Sequence, residues 1–242
     1  MYQSFVQNSQ NMINMFLYLG SVFLIYLLAR SLPLEKKFPS FPFICALFLA
    51  ISPWFNFISK DRQASLMLFL SITGVYLINK FLKKYSLVSV FLFLILINFL
   101  TISFKDITQV PVWLTDEQRR EHGNNFANFP VVLIHNKVVN YTLSFLDHYS
   151  QHFQGDFLFV SGDVRNSFPL MYLFDFIFII TAVIFIIKSP KGWGIIFIWL
   201  LMAPLPSALD LQPPNALLSS NMIVPLVLLS SFSASYILRK MI

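Results

Sequence analysis

"ISPWFNFISKDRQAS", residues 51–65, leaves an apolar run through a proline and a tryptophan, passes three adjacent charges, Lys60, Asp61 and Arg62, and enters a second apolar run. A proline within an apolar helix removes a backbone donor and bends or ends that helix, so a break is predicted at Pro53. Trp54 suits the aromatic belt of a membrane boundary. The charges predict a turn in water, with Asp61 placed to cap a helix that begins near Ala64. The stretch therefore reads as two helices meeting at a membrane surface. Two roles fit the cluster: simple helix-end marking by capping and snorkelling, or binding of a phosphate group by Lys60 and Arg62, since a guanidinium is well shaped for phosphate.

The flanking chain has the same character. Of 242 residues, 57% are hydrophobic, 12% are charged and 28 are Phe, whereas soluble domains carry about 25% charged residues. A bilayer core takes roughly 20 apolar residues as helix. Seven stretches meet or approach that length: 12–32, 41–59, 64–82, 86–104, 168–188, 192–209 and 219–238. Helices satisfy their backbone hydrogen bonds internally, as lipid demands, and these runs lack the alternation of a barrel strand. The expected fold is all-α, a polytopic transmembrane bundle of about seven spans forming a single domain over 1–242. Cys45 is the single cysteine and lies inside an apolar run, so neither a disulfide framework nor a redox motif is present.

Charge asymmetry orients the bundle. One side collects Arg30, Lys36, Lys37, Lys80, Lys83, Lys84, Lys188, Lys191, Arg239 and Lys240 against a single acid, Glu35. Short basic loops stay in the cytoplasm. The N-terminus is therefore expected outside and the C-terminus in the cytoplasm. The net charge of +6 is a topology signal, and nucleic acid is not an expected partner. The polar, uncharged "MYQSFVQNSQN" has neither the basic region nor the cleavage site of a signal peptide, and an outside start also fits a chain that lacks an odd number of upstream helices.

The one long connection, 105–167, falls on the outer side. Within it, Val138, Tyr141, Phe145, Tyr149 and Phe153 recur at three- and four-residue steps, which predicts an amphipathic helix over 137–153. It is expected either along the membrane interface or packed on other loops.

Three blocks resemble one family. The opening stretch, extended to "ISPWFNFISKDRQASLMLFLSITGVYLI", is similar to an "SPWH…FSR" segment of bacterial polytopic glycosyltransferases, the group related to protein O-mannosyltransferases and lipid A aminoarabinose transferases. "HNKVVNYTLSFLDHYSQHFQGDFLFVSGD" (135–163) resembles an outer-loop block ending in "DFLF…GD". "LLMAPLPSALDLQPPNALLSS" (200–220) resembles a block reading roughly "APIPAALT…PHALRS". The resemblance covers about a third of the chain. It implies the GT-C fold and transfer of a sugar from a polyprenyl-phosphate donor on the extracytoplasmic side of a bacterial-type plasma membrane, with membrane lipids as surroundings and no cofactor. Several positions depart from the pattern: Phe55 stands for His, Lys60 for Arg, Asn215 for His and Leu218 for Arg. The family's opening helix and the outer loop with its catalytic acid have no counterpart, so a missing N-terminal portion or a partner subunit is implied.

Glycosyl transfer needs a base for the acceptor and positive charge near the leaving phosphate. Asp61, Asp147, Asp156, Asp163 and Asp210 are the acids outside the apolar runs that could serve; Asp61 and Asp163 are the expected catalytic pair. Lys60, Arg62, His135 and Arg165 are the expected substrate contacts. Gly162–Asp163 also reads as a turn, and each acid also reads as a solvated loop charge. His135, His148 and His152 could suggest a metal, but 148 and 152 lie four apart on a wet helix with no third ligand nearby, and zinc needs three or four, so no metal site is expected. Asp175 should face the bundle, because a lipid-facing carboxylate is costly. "NYT" at 140–142 is a glycosylation sequon, too common a tripeptide to carry weight. Two other classes fit the same composition: a lipid-linked saccharide flippase, although the spans hold few ionisable groups and no obvious repeats, and a noncatalytic membrane scaffold.

Overall fold

The computed structural model describes residues 2–34, 38–83, 85–102, 112–125, 127–163, 166–167 and 169–241. The described chain is mostly helical. Helix α1 spans Tyr2–Ser31; α2, Phe41–Ile51; α3, Pro53–Ile58; α4, Arg62–Phe81; and α5, Ser86–Thr101. The long connection carries α6 (Val112–Arg120), α7 (Phe129–Ile134) and α8 (Lys137–Gln151). Strands β1 (Gly162–Asp163) and β2 (Asn166–Ser167) pair antiparallel. Helices α9 (Leu173–Lys188), α10 (Gly194–Met202), α11 (Leu205–Ala208) and α12 (Ile223–Met241) complete the chain.

Among the described residues, three helices are long and apolar enough to cross a membrane: Met12–Ser31, Arg62–Phe81 and Ser220–Met241. Helices α2 and α5 and the pair α10–α11 are shorter apolar segments. The break at Pro53 is present. Helix α2 ends at Ile51, Ser52 is extended, and Pro53 opens α3, where its missing N–H costs nothing. Asp61 is the N-cap of α4 and accepts a hydrogen bond from the Ala64 amide at 2.7 Å.

The helices close a ring. Helix α12 packs on α2, α2 on α1, α1 on α4, α4 on α5, α5 on α10, and α10 returns to α12, with α9 also lying against α12. Helix α12 is buried from Ile223 to Ser235, as a helix apolar on all sides should be. Trp54, Trp193, Trp199 and Phe232 fill the interior beside Leu28, Leu68 and Ile72. Gly74 lets α5 approach α4: a Cβ there would run into the ring tip of Phe93, the small-residue device of membrane helix packing.

The outward faces are apolar. Phe16, Leu19 and Phe23 on α1, Leu92, Leu96 and Phe99 on α5, and Ile177, Ile180, Ile184 and Ile187 on α9 are all exposed. Exposed apolar area on this scale marks a membrane-facing surface. Asp175 is buried, not lipid-facing; its carboxylate accepts from the Ser230 hydroxyl and the Tyr172 amide, which seats it at the start of α9.

The helix ends separate by charge. Arg30, Lys80, Lys188, and Arg239 with Lys240 occupy the last turns of α1, α4, α9 and α12. These ends lie together: Asn79 donates to the Ser31 carbonyl, Gly192 approaches Pro33, and Arg239 stacks over Phe38. The opposite end carries α3, the start of α4, α8 and α11.

Candidate functional site

The three sequence blocks meet at one residue. The indole N–H of Trp54 donates to the Ala216 carbonyl at 2.9 Å, and the Ala216 amide donates to Asp163 Oδ2 at 3.0 Å. The Trp54 amide also donates to the Leu170 carbonyl at 3.0 Å. Trp54 is fully buried. It is therefore a core anchor, and the expected place in an interfacial aromatic belt is corrected: a ring with an N–H partner inside the protein gains more from burial than from the boundary.

Asn215 organises the neighbouring turn. Its side-chain oxygen accepts from the Leu217 and Leu218 amides at 3.1 and 3.3 Å, and its Nδ2 donates to Asp210 Oδ2 at 2.9 Å. The other Asp210 oxygen accepts from the Leu211 amide. Asp210 is thereby oriented while only 8% exposed. Its nearby Pro213–Pro214 bond is cis.

Behind this turn runs a buried relay. His152 Nδ1 lies 2.9 Å from the His148 carbonyl, and its Nε2 lies 2.6 Å from Ser207 Oγ. A carbonyl only accepts, so Nδ1 carries the hydrogen and Nε2 accepts from the serine hydroxyl. Ser207 Oγ in turn accepts from the Asn215 amide at 2.7 Å. Burial of the ring, above all, pushes the His152 pKa down to about 4; hydrogen bonds to backbone carbonyls oppose this and nearby His148 adds to it. His152 thus locks α8 onto the turn that presents Asp210.

A cavity of about 520 Å³ opens between the start of α4 and this turn. Asp61, Gln63, Asp210, Gln212, Asn215 and Ser220 give it polar walls, and Met67, Ile102, Leu209 and Leu217 give it apolar ones. Two carboxylates with amide and hydroxyl groups can hydrogen-bond a polyhydroxylated ligand, and the apolar walls can cover its other face. Leu209 separates this cavity from a second of about 250 Å³ lined by Tyr141, Phe145, His148 and Ala208.

The expected site residues divide. Asp61 lines the large cavity; Lys60 and Arg62 beside it are exposed and are not among its lining residues. No ion pair joins Asp61 to Arg62 among the described residues, and the recorded partner of Asp61 is its helix cap. Asp163 is buried at Ala216 and lines a separate small pocket with Gln151, Asp156 and Pro214, so the structure does not bring it to Asp61. His135 caps the end of α7, with its Nε2 2.9 Å from Nε2 of His122. Arg165 lies outside the described residues. Asp147 is exposed on α8. Asp210, one acid among several in the sequence, lines the same cavity as Asp61, a neighbourhood that only the fold creates.

The helix expected over 137–153 forms as α8, with Tyr141, Phe145 and Tyr149 half-buried and Phe153 exposed. Tyr149 donates to the Leu201 carbonyl at 2.9 Å and α8 packs on α11, while Val138, Leu143 and Leu146 stay exposed.

No protein family, curated protein or solved structure matches the chain.

Proposed function

We propose that the chain is a membrane glycosyltransferase, or a piece of one, that moves a sugar from a polyprenyl-phosphate donor on the extracytoplasmic side. In this reading all seven helical units cross the bilayer in a GT-C-like bundle. The basic helix ends face the cytoplasm, and the cavity end faces outward. The observation that carries the proposal is that Asp61 and Asp210, from distant parts of the chain, line one cavity.

The chemistry follows from the walls. The donor's sugar sits among Asp61, Asp210, Gln63, Gln212 and Asn215. Its phosphate lies at the rim, where Lys60 and Arg62 offset the charge that grows as the C1–O bond to phosphate breaks. The bonding pair leaves with the phosphate. The acceptor hydroxyl forms the new C1–O bond and gives its proton to a carboxylate acting as base. Asp61 suits that role: one oxygen is held by the Ala64 amide, and the second has no hydrogen-bond partner among the described residues. Asp210, tied to Asn215 and Leu211, positions the sugar.

Donor binding to the purified protein tests the rim. A charge-assisted phosphate contact is worth about 1.5–3 kcal/mol, so Arg62→Ala should weaken binding roughly ten- to a hundredfold. Arg62→Lys should recover only part of that loss, since an ammonium cannot make the bidentate contact. Unchanged affinity in both Arg62→Ala and Lys60→Ala would leave the cluster as a helix end.

A further inference from the structure

His122 and His135 form a pair that the proposed reaction does not use. His122 sits in the turn after α6 and is exposed; His135, half-buried, ends α7. Their Nε2 atoms approach to 2.9 Å, with ring centroids 5.0 Å apart and planes inclined by 40°. The approach is built from the backbone. Arg119 Nε donates to the His135 carbonyl at 2.7 Å, and the His122 amide bonds the Arg119 carbonyl at 3.1 Å, so both histidines are fixed to the same residue. Helix α6 is itself tied down: Asn140 on α8 donates to Thr115 and Gln118 at 3.0 and 2.9 Å.

One of the two Nε2 atoms carries the shared hydrogen in the metal-free pair. When that hydrogen is lost to the other nitrogen of its ring, two lone pairs converge on one point from opposite elements. Neutral imidazole is a ligand for zinc, copper and nickel. With metal–nitrogen bonds of about 2.0–2.1 Å and a tetrahedral angle, the two nitrogens would stand roughly 3.3 Å apart. Opening the pair by about 0.4 Å is within reach of small side-chain rotations. Among the described residues no group of three or more metal-ligating side chains exists, so water would complete the shell.

We propose that His122 and His135 form a two-histidine site for a divalent transition-metal ion, which clasps the end of α6 to the end of α7. This site is separate from the Asp61–Asp210 cavity and stands or falls independently of the glycosyltransferase reading.

The test uses the full chain, purified without a polyhistidine tag, and Cu²⁺ or Zn²⁺ as the probe. The chain has 4 His, so each can be assigned. Wild type should bind one Cu²⁺ with an electron paramagnetic resonance spectrum coupled to two nitrogens, and Cu²⁺ should displace Zn²⁺ bound beforehand. Loss of a mere outer-shell partner typically costs 10–100-fold in metal affinity. His122→Ala and His135→Ala should therefore each weaken binding at least about tenfold and leave a one-nitrogen spectrum. His148→Ala should change neither. Both target side chains lie in surface turns, and a matching thermal transition without metal would show that the variants fold. Cu²⁺ binding that is equal in wild type and both variants, or a wild-type spectrum with one nitrogen, would overturn the site.

Discussion

Trp54 and Ala216 stand 162 residues apart in sequence, yet the indole N–H of one donates to the carbonyl of the other at 2.9 Å in the buried interior. The bond fixes the break between α2 and α4 to the turn that carries Asp210. The amide N–H of the same residue, Ala216, is held by Asp163. Trp54→Phe keeps most of the ring volume and orphans the carbonyl, a loss of about 1–3 kcal/mol. A thermal unfolding midpoint in detergent should drop accordingly; an unchanged midpoint would mean the turn is held without this anchor.

His152 makes stability depend on pH. Its pKa is held at about 4 in the folded protein, against about 6.5 in an unfolded chain. Between those values the unfolded state takes up a proton that the folded state refuses. Stability should be fully present above about pH 6.5 and fall by on the order of 3 kcal/mol as pH drops to about 4. The ring is fully buried, faced by His148 from its own helix, by Ser207 from α11 and by the Phe157 ring. In His152→Leu the slope across this window should flatten. A slope that persists unchanged would place its origin in other groups.

Gly74 sets the distance between α4 and α5. Gly74→Val puts branched carbon where the Phe93 ring tip now rests, and overpacking of this kind costs about 1–3 kcal/mol. Pairing it with Phe93→Ala should restore part of the loss. Failure of that rescue, with Gly74→Val still destabilising, would show that the backbone itself needs glycine.

Topology is the fourth expectation. Reporter fusions at 80–86 and 188–192 should be cytoplasmic and those within 105–167 extracytoplasmic, because the basic helix ends gather on one side. A cytoplasmic report from the long loop would reverse the proposed orientation and remove the donor from the cavity.

Much of this arrangement is written locally in the chain. The Pro53 break, the Asp61 cap and the α8 period each depend on residues within a few positions of one another, and each is present. Helices α6 and α7 escape such reading because they are short: α6 is mostly polar, and α7 is a six-residue apolar run with no period to read. Trp54 reads as a boundary residue because its partner is 162 positions away. The pairing of Asp61 with Asp210 is invisible for the same reason: nothing in "ALDLQPP" distinguishes its acid until Asn215 orients it.

Transfer activity in membranes tests the central claim most directly. Membranes carrying the chain would be given a polyprenyl-phosphate-linked sugar, and release of polyprenyl phosphate with sugar appearing on an acceptor would be followed. Removing a general base costs about 10²–10⁴-fold, so Asp61→Asn should lower transfer at least about a hundredfold at equal protein level. Asp210→Asn should also lower it, mainly through weaker donor binding, while Asp147→Asn, exposed on α8 and away from the cavity, should transfer like wild type. Transfer that is absent from wild-type membranes, or that survives Asp61→Asn and Asp210→Asn at the wild-type rate, would contradict the account.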